Sequence, residues 1–142
     1  MRARKLISTL SVTGLAMLGG VAAAPAAHAG SYGCAGNLVW SGMVTDVNGG
    51  TAGWDYGYWD GTTNCAVFVK SEYAGTRTLT EISITTSAGV HGGYDGQPYT
   101  TYAGPVTVNG VGVCVREQVT EFDPNNHQIV NWNSGLHSGP GC

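Results

Sequence analysis

Residues 51 to 65 read TAGWDYGYWDGTTNC, which brings two tryptophans, two tyrosines and two aspartates into one run. Flat aromatic rings beside carboxylates and amides are the materials of a sugar-binding groove, because a ring receives the C–H face of a sugar while the acids bond its hydroxyls. The same residues also serve an ordinary core strand. Side chains alternate along a strand, so Trp54, Tyr56 and Tyr58 share one face while Asp55, Gly57 and Trp59 share the other. Turned inward, the three-aromatic row would supply about 150–250 Å² of buried surface per ring. Turned outward, it would be a platform for sugar rings, since monomers seldom leave large apolar patches bare without a function. The core arrangement is the expectation. The ligand-binding set, should the row face water, is Trp54, Tyr56, Tyr58, Trp59, Asp55 and Asp60. Trp40 and Trp132 fit either arrangement.

Other chemistries find less support. Glycoside hydrolysis needs two carboxylates about 5–5.5 Å apart for retention or about 6.5–9.5 Å for inversion. Asp55 with Asp60, or Glu72 with Glu81, would serve, but a β-domain with nine acids offers such pairs by chance. The stretch DVNGG (46–50) resembles the start of a calcium loop without its remaining ligands and reads as a turn. No G-x-S-x-G elbow occurs, and HGG at 91–93 would be an oxyanion loop with no nucleophile to serve. His91 and Asp95 are four apart, which brings ligands together on a helix but not in a glycine-rich loop. His127 and His137 read as surface histidines. Cleavage after Ala27 would expose His28 as an amino-terminal copper ligand, with His91, His127 or His137 as its partner; the small residues Ala27 and Ala29 favour cleavage after Ala29 instead. No metal and no cofactor is expected.

The ends and composition set the compartment. Arg2, Arg4 and Lys5 precede an apolar run from Leu6 to about Ala24, and Ala27-His28-Ala29 closes it, the pattern of a cleaved secretory signal over residues 1–29 rather than a membrane anchor. Residues 30–142 then form one secreted domain. Cleavage leaves Lys70, Arg77 and Arg116 against nine acids, a net charge of −6. So acidic a chain has no basic stripe for nucleic acid or for an anionic membrane surface. The four cysteines, Cys34, Cys65, Cys114 and Cys142, all lie in this part. An even number in an oxidising space implies two disulfides. Three connectivities are possible; Cys34–Cys65 with Cys114–Cys142 is favoured because each joins neighbouring segments. Zinc would want a C-x-x-C pair, which is absent from the sequence.

No window has a convincing helical period, whereas strand signals recur. LVWSGMVTDV (38–47) ends at Asn48-Gly49, and AGWDYGYWD (52–60) ends at Asp60-Gly61, both hairpin signals. CAVFVKSEY (65–73) and TLTEISITT (78–86) follow. SAGVHGGYDGQP (87–98) reads as the longest loop, and YTTYAGPVTVNG (99–110) with VGVCVREQVTEF (111–122) as a hairpin across Asn109-Gly110. Pro105 confines its strand to an edge or a bulge. HQIVNWN (127–133) follows the Asp123-Pro124-Asn125 turn, and the tail SGLHSGPGC is irregular and pinned by a disulfide. About seven short strands predict an all-β fold, a compact antiparallel sandwich or barrel stapled by disulfides.

The layout GSYGCAG, TTNCAVFVK, YTTYAGPVTVNGVGVCV and a terminal cysteine resembles the spore-associated protein A type of actinomycete secreted proteins. YAGPVTV followed shortly by Cys114 is the most telling piece. REQVTEFD after Cys114 is more charged than that pattern, and residues 44–60 are more aromatic. The resemblance implies a small exported protein found with spores or aerial growth, with no established catalytic site. The expected role is therefore non-catalytic, at the spore or cell surface, with self-association as one mode of action. A polysaccharide-binding module is the first alternative. The second is a small protease inhibitor presenting residues 87–98 or 123–126.

Overall fold

In a computed structural model that describes residues 30–137 and Cys142, the chain forms eight antiparallel strands, with no helix among the described residues. The secretory signal read from residues 1–29 lies outside the described residues. The strands are β1 (Asn37–Thr45), β2 (Thr51–Trp59), β3 (Thr63–Lys70), β4 (Thr78–Thr86), β5 (His91–Tyr99), β6 (Tyr102–Asn109), β7 (Val115–Phe122) and β8 (Gln128–Asn133). Two four-stranded sheets result, in the orders β1-β2-β3-β6 and β5-β4-β7-β8. They pack face to face as a sandwich and do not close into a barrel.

Local chemistry explains the hairpins. Asp46 Oδ1 accepts the N–H groups of Asn48 and Gly50 at 2.7 Å each, and Gly49 takes a φ of 85°, so the β1–β2 turn is closed by a side chain that mimics backbone. The calcium-like DVNGG stretch is thus a turn. At the β2–β3 turn, Asp60 Oδ1 accepts from the N–H groups of Thr62 and Thr63 at 2.9 and 2.8 Å.

The core lies between the sheets. Val44, Ala66, Phe68, Ala103 and Val106 of the first sheet meet Ile82, Ile84, Val115, Val119 and Val130 of the second. A smaller cluster sits on the outer face of the first sheet, where the segment before β1 folds over Tyr58, Cys65 and Val67. The disulfides are Cys34–Cys65 and Cys114–Cys142, with Cα atoms 5.7 and 4.7 Å apart, as favoured from their spacing.

Two expectations are corrected. Residues 87–98 are mostly strand, because β5 occupies His91–Tyr99 at the edge of the second sheet. Its glycines serve close approach rather than turning. A Cβ on Gly92 would lie 2.6 Å from Thr107 O and from Val108 Cβ, and one on Gly93 would lie 3.0 Å from Thr107 N. The bare backbone of β5 therefore lets β6 of the other sheet come down upon it. Asp95 ties the corner, accepting from the Gly104 N–H at 2.7 Å and from the Tyr99 hydroxyl at 2.6 Å. The second correction concerns residues 99–122, which are not a hairpin: β6 pairs with β3 and β7 pairs with β4. Asn109-Gly110 begins a crossing between sheets. Pro105 does sit in an edge strand, beside a register shift between Ala66 and Phe68.

Gly92→Ala places a methyl group against backbone that cannot yield easily. It should destabilise the domain by about 1–3 kcal/mol, read as a lower urea midpoint with an unchanged slope. A midpoint equal to that of the parent chain would show that the two sheets have room to part.

Candidate functional site

Register decides which way the aromatic run faces. Met43, Trp54, Val69 and Tyr102 are successive partners across all four strands of the first sheet, and they share its outer face. Ser41, Tyr56 and Val67 form the next row, and Leu38, Tyr58, Cys65 and Thr107 the one beyond. The Trp54–Tyr56–Tyr58 face is thus turned away from the main core, against the expectation that it fills the space between sheets. The row divides along its length. Tyr58 is buried beneath the segment that carries Cys34, Tyr56 is half-buried, and Trp54 is 41% exposed.

Tyr32 extends this surface. With a positive φ of 59°, it turns its ring onto Tyr56, stacked at 6.2 Å and 17°, and edge-on to Tyr102 at 5.3 Å. Met43 is 49% exposed beside Trp54. The strands of this sheet contain two charged residues, Asp55 and Lys70, and both point inward. The outer face is therefore aromatic, hydroxylic and uncharged.

The remaining members of the candidate set lie elsewhere. Asp60 is exposed, and its carboxyl is held below its ordinary value by the backbone N–H groups of Thr62 and Thr63. It is committed to its turn. Trp59 points to the inner side at the strand end, half-buried, with Gly110 against its ring. Asp55 is completely buried. Glu72 and Glu81 belong to separate networks: Glu72 interacts with Asp46, whereas Glu81 accepts the Tyr94 hydroxyl at 2.8 Å. His91 and Asp95 lie on one strand, where four residues span roughly 13 Å, too far to share an ion. No group of three or more metal-ligating side chains occurs among the described residues. Residues 123–126 form a tight turn held by Asp123, which accepts from the N–H groups of Asn125 and His127 at 2.8 Å each.

No local pattern announces the polar cluster around Asp55. Trp40 of β1 lies flat on the inner face, where a Cβ on Gly42 would come within 2.9 Å of the indole and one on Gly57 within 3.2 Å of Trp40 Cβ. Those two glycines make the floor on which the ring rests. Trp40 Nε1 donates to Asp55 Oδ2 at 3.0 Å, and the His137 ring stacks on the indole at 4.2 Å and 7°. His137 Nε2 in turn meets Glu117 Oε2 of β7. His137 is therefore not the surface histidine expected, whereas His127 is exposed. Its placement follows from the tail, which continues along β7 through Ser134 N to Glu117 O and His137 N to Val115 O.

Burial pushes the Asp55 carboxyl well above its ordinary value, and the nearby Glu117 carboxylate adds to this against the Trp40 bond. Paired carboxyl groups are what acid–base hydrolysis uses. Here, however, Asp55 and Glu117 are closed off from solvent, so a polysaccharide cannot reach them in this arrangement. At the other end of the core, Lys70 and Glu121 form a second buried pair. An open depression of about 400 Å³, lined by Arg77, Asp95 and Tyr99 among others, lies beside the β5–β6 corner.

A raised carboxyl pKa in the folded state means that the fold holds a proton which the unfolded chain releases. Asp55 therefore contributes most at low pH, and its contribution falls as pH rises past the ordinary carboxylate range. Asp60 and Asp123, held below their ordinary values by hydrogen bonds, act with the opposite sign in stronger acid. Thermal unfolding should therefore show maximal stability in mild acid and a decline above about pH 5, a decline that Asp55→Asn flattens. Trp40→Phe keeps the ring but strips Asp55 of its donor, at a cost of about 1–3 kcal/mol in urea titration.

Neither protein-family models, curated proteins nor solved structures match this chain. What it does has to be read from its own surfaces.

Proposed function

We propose that this protein is an exported, non-catalytic domain that acts at the cell or spore surface by holding polysaccharide on the outer face of its first sheet. The observation that carries this reading is the uncharged row of Met43, Trp54, Val69 and Tyr102, continued by Tyr56 and Tyr32, on a chain whose few charged residues are mostly acids. Exposed rings of this kind offer flat apolar area while keeping polar rims wet, which suits a sugar ring's C–H face and its hydroxyls. Two disulfides fit an oxidising compartment, and no helix among the described residues is long and apolar enough to cross a membrane. The resemblance to spore-associated secreted proteins supports the location. Closure of Asp55 and Glu117 supports a binding rather than a hydrolytic role.

A second reading has its own observation. β1 is an edge strand without a charged residue, and Leu38 and Val39 on it are exposed. Pairing of such edges would join copies of the chain into a surface layer. Sedimentation velocity over a range of concentrations separates the two, because a pure binder stays monomeric.

The test is co-sedimentation of the mature protein with chitin, cellulose, purified cell wall and intact spores, beside Trp54→Ala. Trp54 is exposed, so the variant should fold with a loss below about 1 kcal/mol while retention on the polysaccharide drops at least tenfold. Equal retention of the two proteins would remove the outer face from consideration.

A further inference from the structure

We infer that Lys70 and Glu121 join through an amide bond between side chains, so that this pair is a self-modification site linking the two sheets covalently. Lys70 ends β3 of the first sheet and Glu121 lies on β7 of the second. Lys70 Nζ stands 3.3 Å from Glu121 Oε1, and both side chains are wholly buried. Three acceptors ring the nitrogen: Thr78 Oγ1 at 2.6 Å, Tyr99 O at 3.0 Å and Thr76 O at 3.2 Å. An ammonium has three hydrogens, and these three bonds use them all. Both Glu121 oxygens are left buried with no hydrogen bond. The carboxyl thus stands against the nitrogen with neither oxygen in a well-formed hydrogen bond, which leaves the two groups in position for bond formation.

Desolvation favours the neutral acid of Glu121 over its carboxylate. Burial raises the Glu121 carboxyl to about 7 even against the opposing charge of Lys70, with the Glu72 carboxylate pushing it further up. Passing one proton from Lys70 to Glu121 removes both charges and frees a lone pair on Nζ. That lone pair attacks Glu121 Cδ, and the C–N bond forms to give a tetrahedral adduct. One hydrogen then leaves Nζ for the departing hydroxyl, the C–O bond breaks, and a single water is released. No oxidant, reductant or leaving group beyond that water is involved. The product is a neutral amide in a place where two desolvated charges stood.

The purified protein, reduced and alkylated, tests this by intact mass. The expected mass is one water below that calculated from its observed first residue. Trypsin should fail at Lys70 and yield a branched peptide, in which the segment ending at Arg77 is joined to the segment beginning at Glu117. Lys70→Arg and Glu121→Ala should each restore the full mass wherever they fold, but the parent chain alone decides the matter. Full mass with cleavage after Lys70 would overturn the proposal. So would a lost water found in a linear peptide, as a cyclic imide at Asp60-Gly61 or Asp95-Gly96.

Discussion

Strand β7 turns Val115, Glu117, Val119 and Glu121 toward the space between the sheets, so two carboxylates must be satisfied where water is excluded. An uncompensated buried charge costs several kcal/mol, and the surrounding structure is arranged to meet that demand. Glu117 takes its partner from the tail, through His137, and the histidine in turn needs the flat face of Trp40. Trp40 needs two glycines beneath it and offers its N–H to Asp55. Glu121 takes its partner from the far end of β3. The apolar side chains between these two polar ends form a short, dense middle of valine, isoleucine and one phenylalanine. Order in the tail, the placing of β1 and the register of β7 are therefore linked through a few side chains.

The sandwich also carries a second, outer layer. The segment before β1 crosses the outside of the first sheet, is fastened there by Cys34–Cys65, and roofs Tyr58. This explains how a row of three aromatics can be neither wholly core nor wholly surface. One end is covered by the segment that precedes β1, while the other end, at Trp54, is left open. A small domain has limited apolar area with which to stabilise itself. Using the outside of a sheet as a second packing surface extends that area.

Much of the architecture was legible because turn chemistry is local. Asn48-Gly49 and Asp60-Gly61 mark their hairpins unaided, and the β-branched run TLTEISITT marks β4 although its alternation is imperfect. Cysteine spacing was enough to favour the right pairing. What escaped was set by distant contacts. β5 has three glycines and a proline, which read as a loop until β6 is seen lying on it. The two faces of β2 were correctly separated, but which one meets the second sheet depends on Gly53 and Gly57, whose bare backbones leave room for Phe68 and Trp40. An aspartate on the inward face runs against the simple rule that apolar rows go inside. The inward glutamates of β7 were visible as the charged departure REQVTEFD, yet their alternation with valine was needed to give that departure meaning. His137 lay beyond any local pattern, since its surroundings come from β1 and β7.

Each disulfide ties a segment flanking the strands to its own sheet: Cys34, before β1, to β3 in the first, and Cys142, after β8, to the start of β7 in the second. Consider this domain under tension, with its two ends drawn apart. Force entering at the amino end passes through Cys34 directly into Cys65, and force at the carboxyl end passes from Cys142 into Cys114. The β1–β2 hairpin and strands β7 and β8 lie inside the closed loops, off the direct backbone path from end to end. Between the two disulfides the load passes from one sheet to the other at Lys70 and Glu121, where an amide bond would carry it and leave residues 71–113 unstretched. The aromatic face around Trp54 is shared between a shielded hairpin and the strands at the margin of that stretch, so the outermost part of the surface keeps its shape while the domain is pulled.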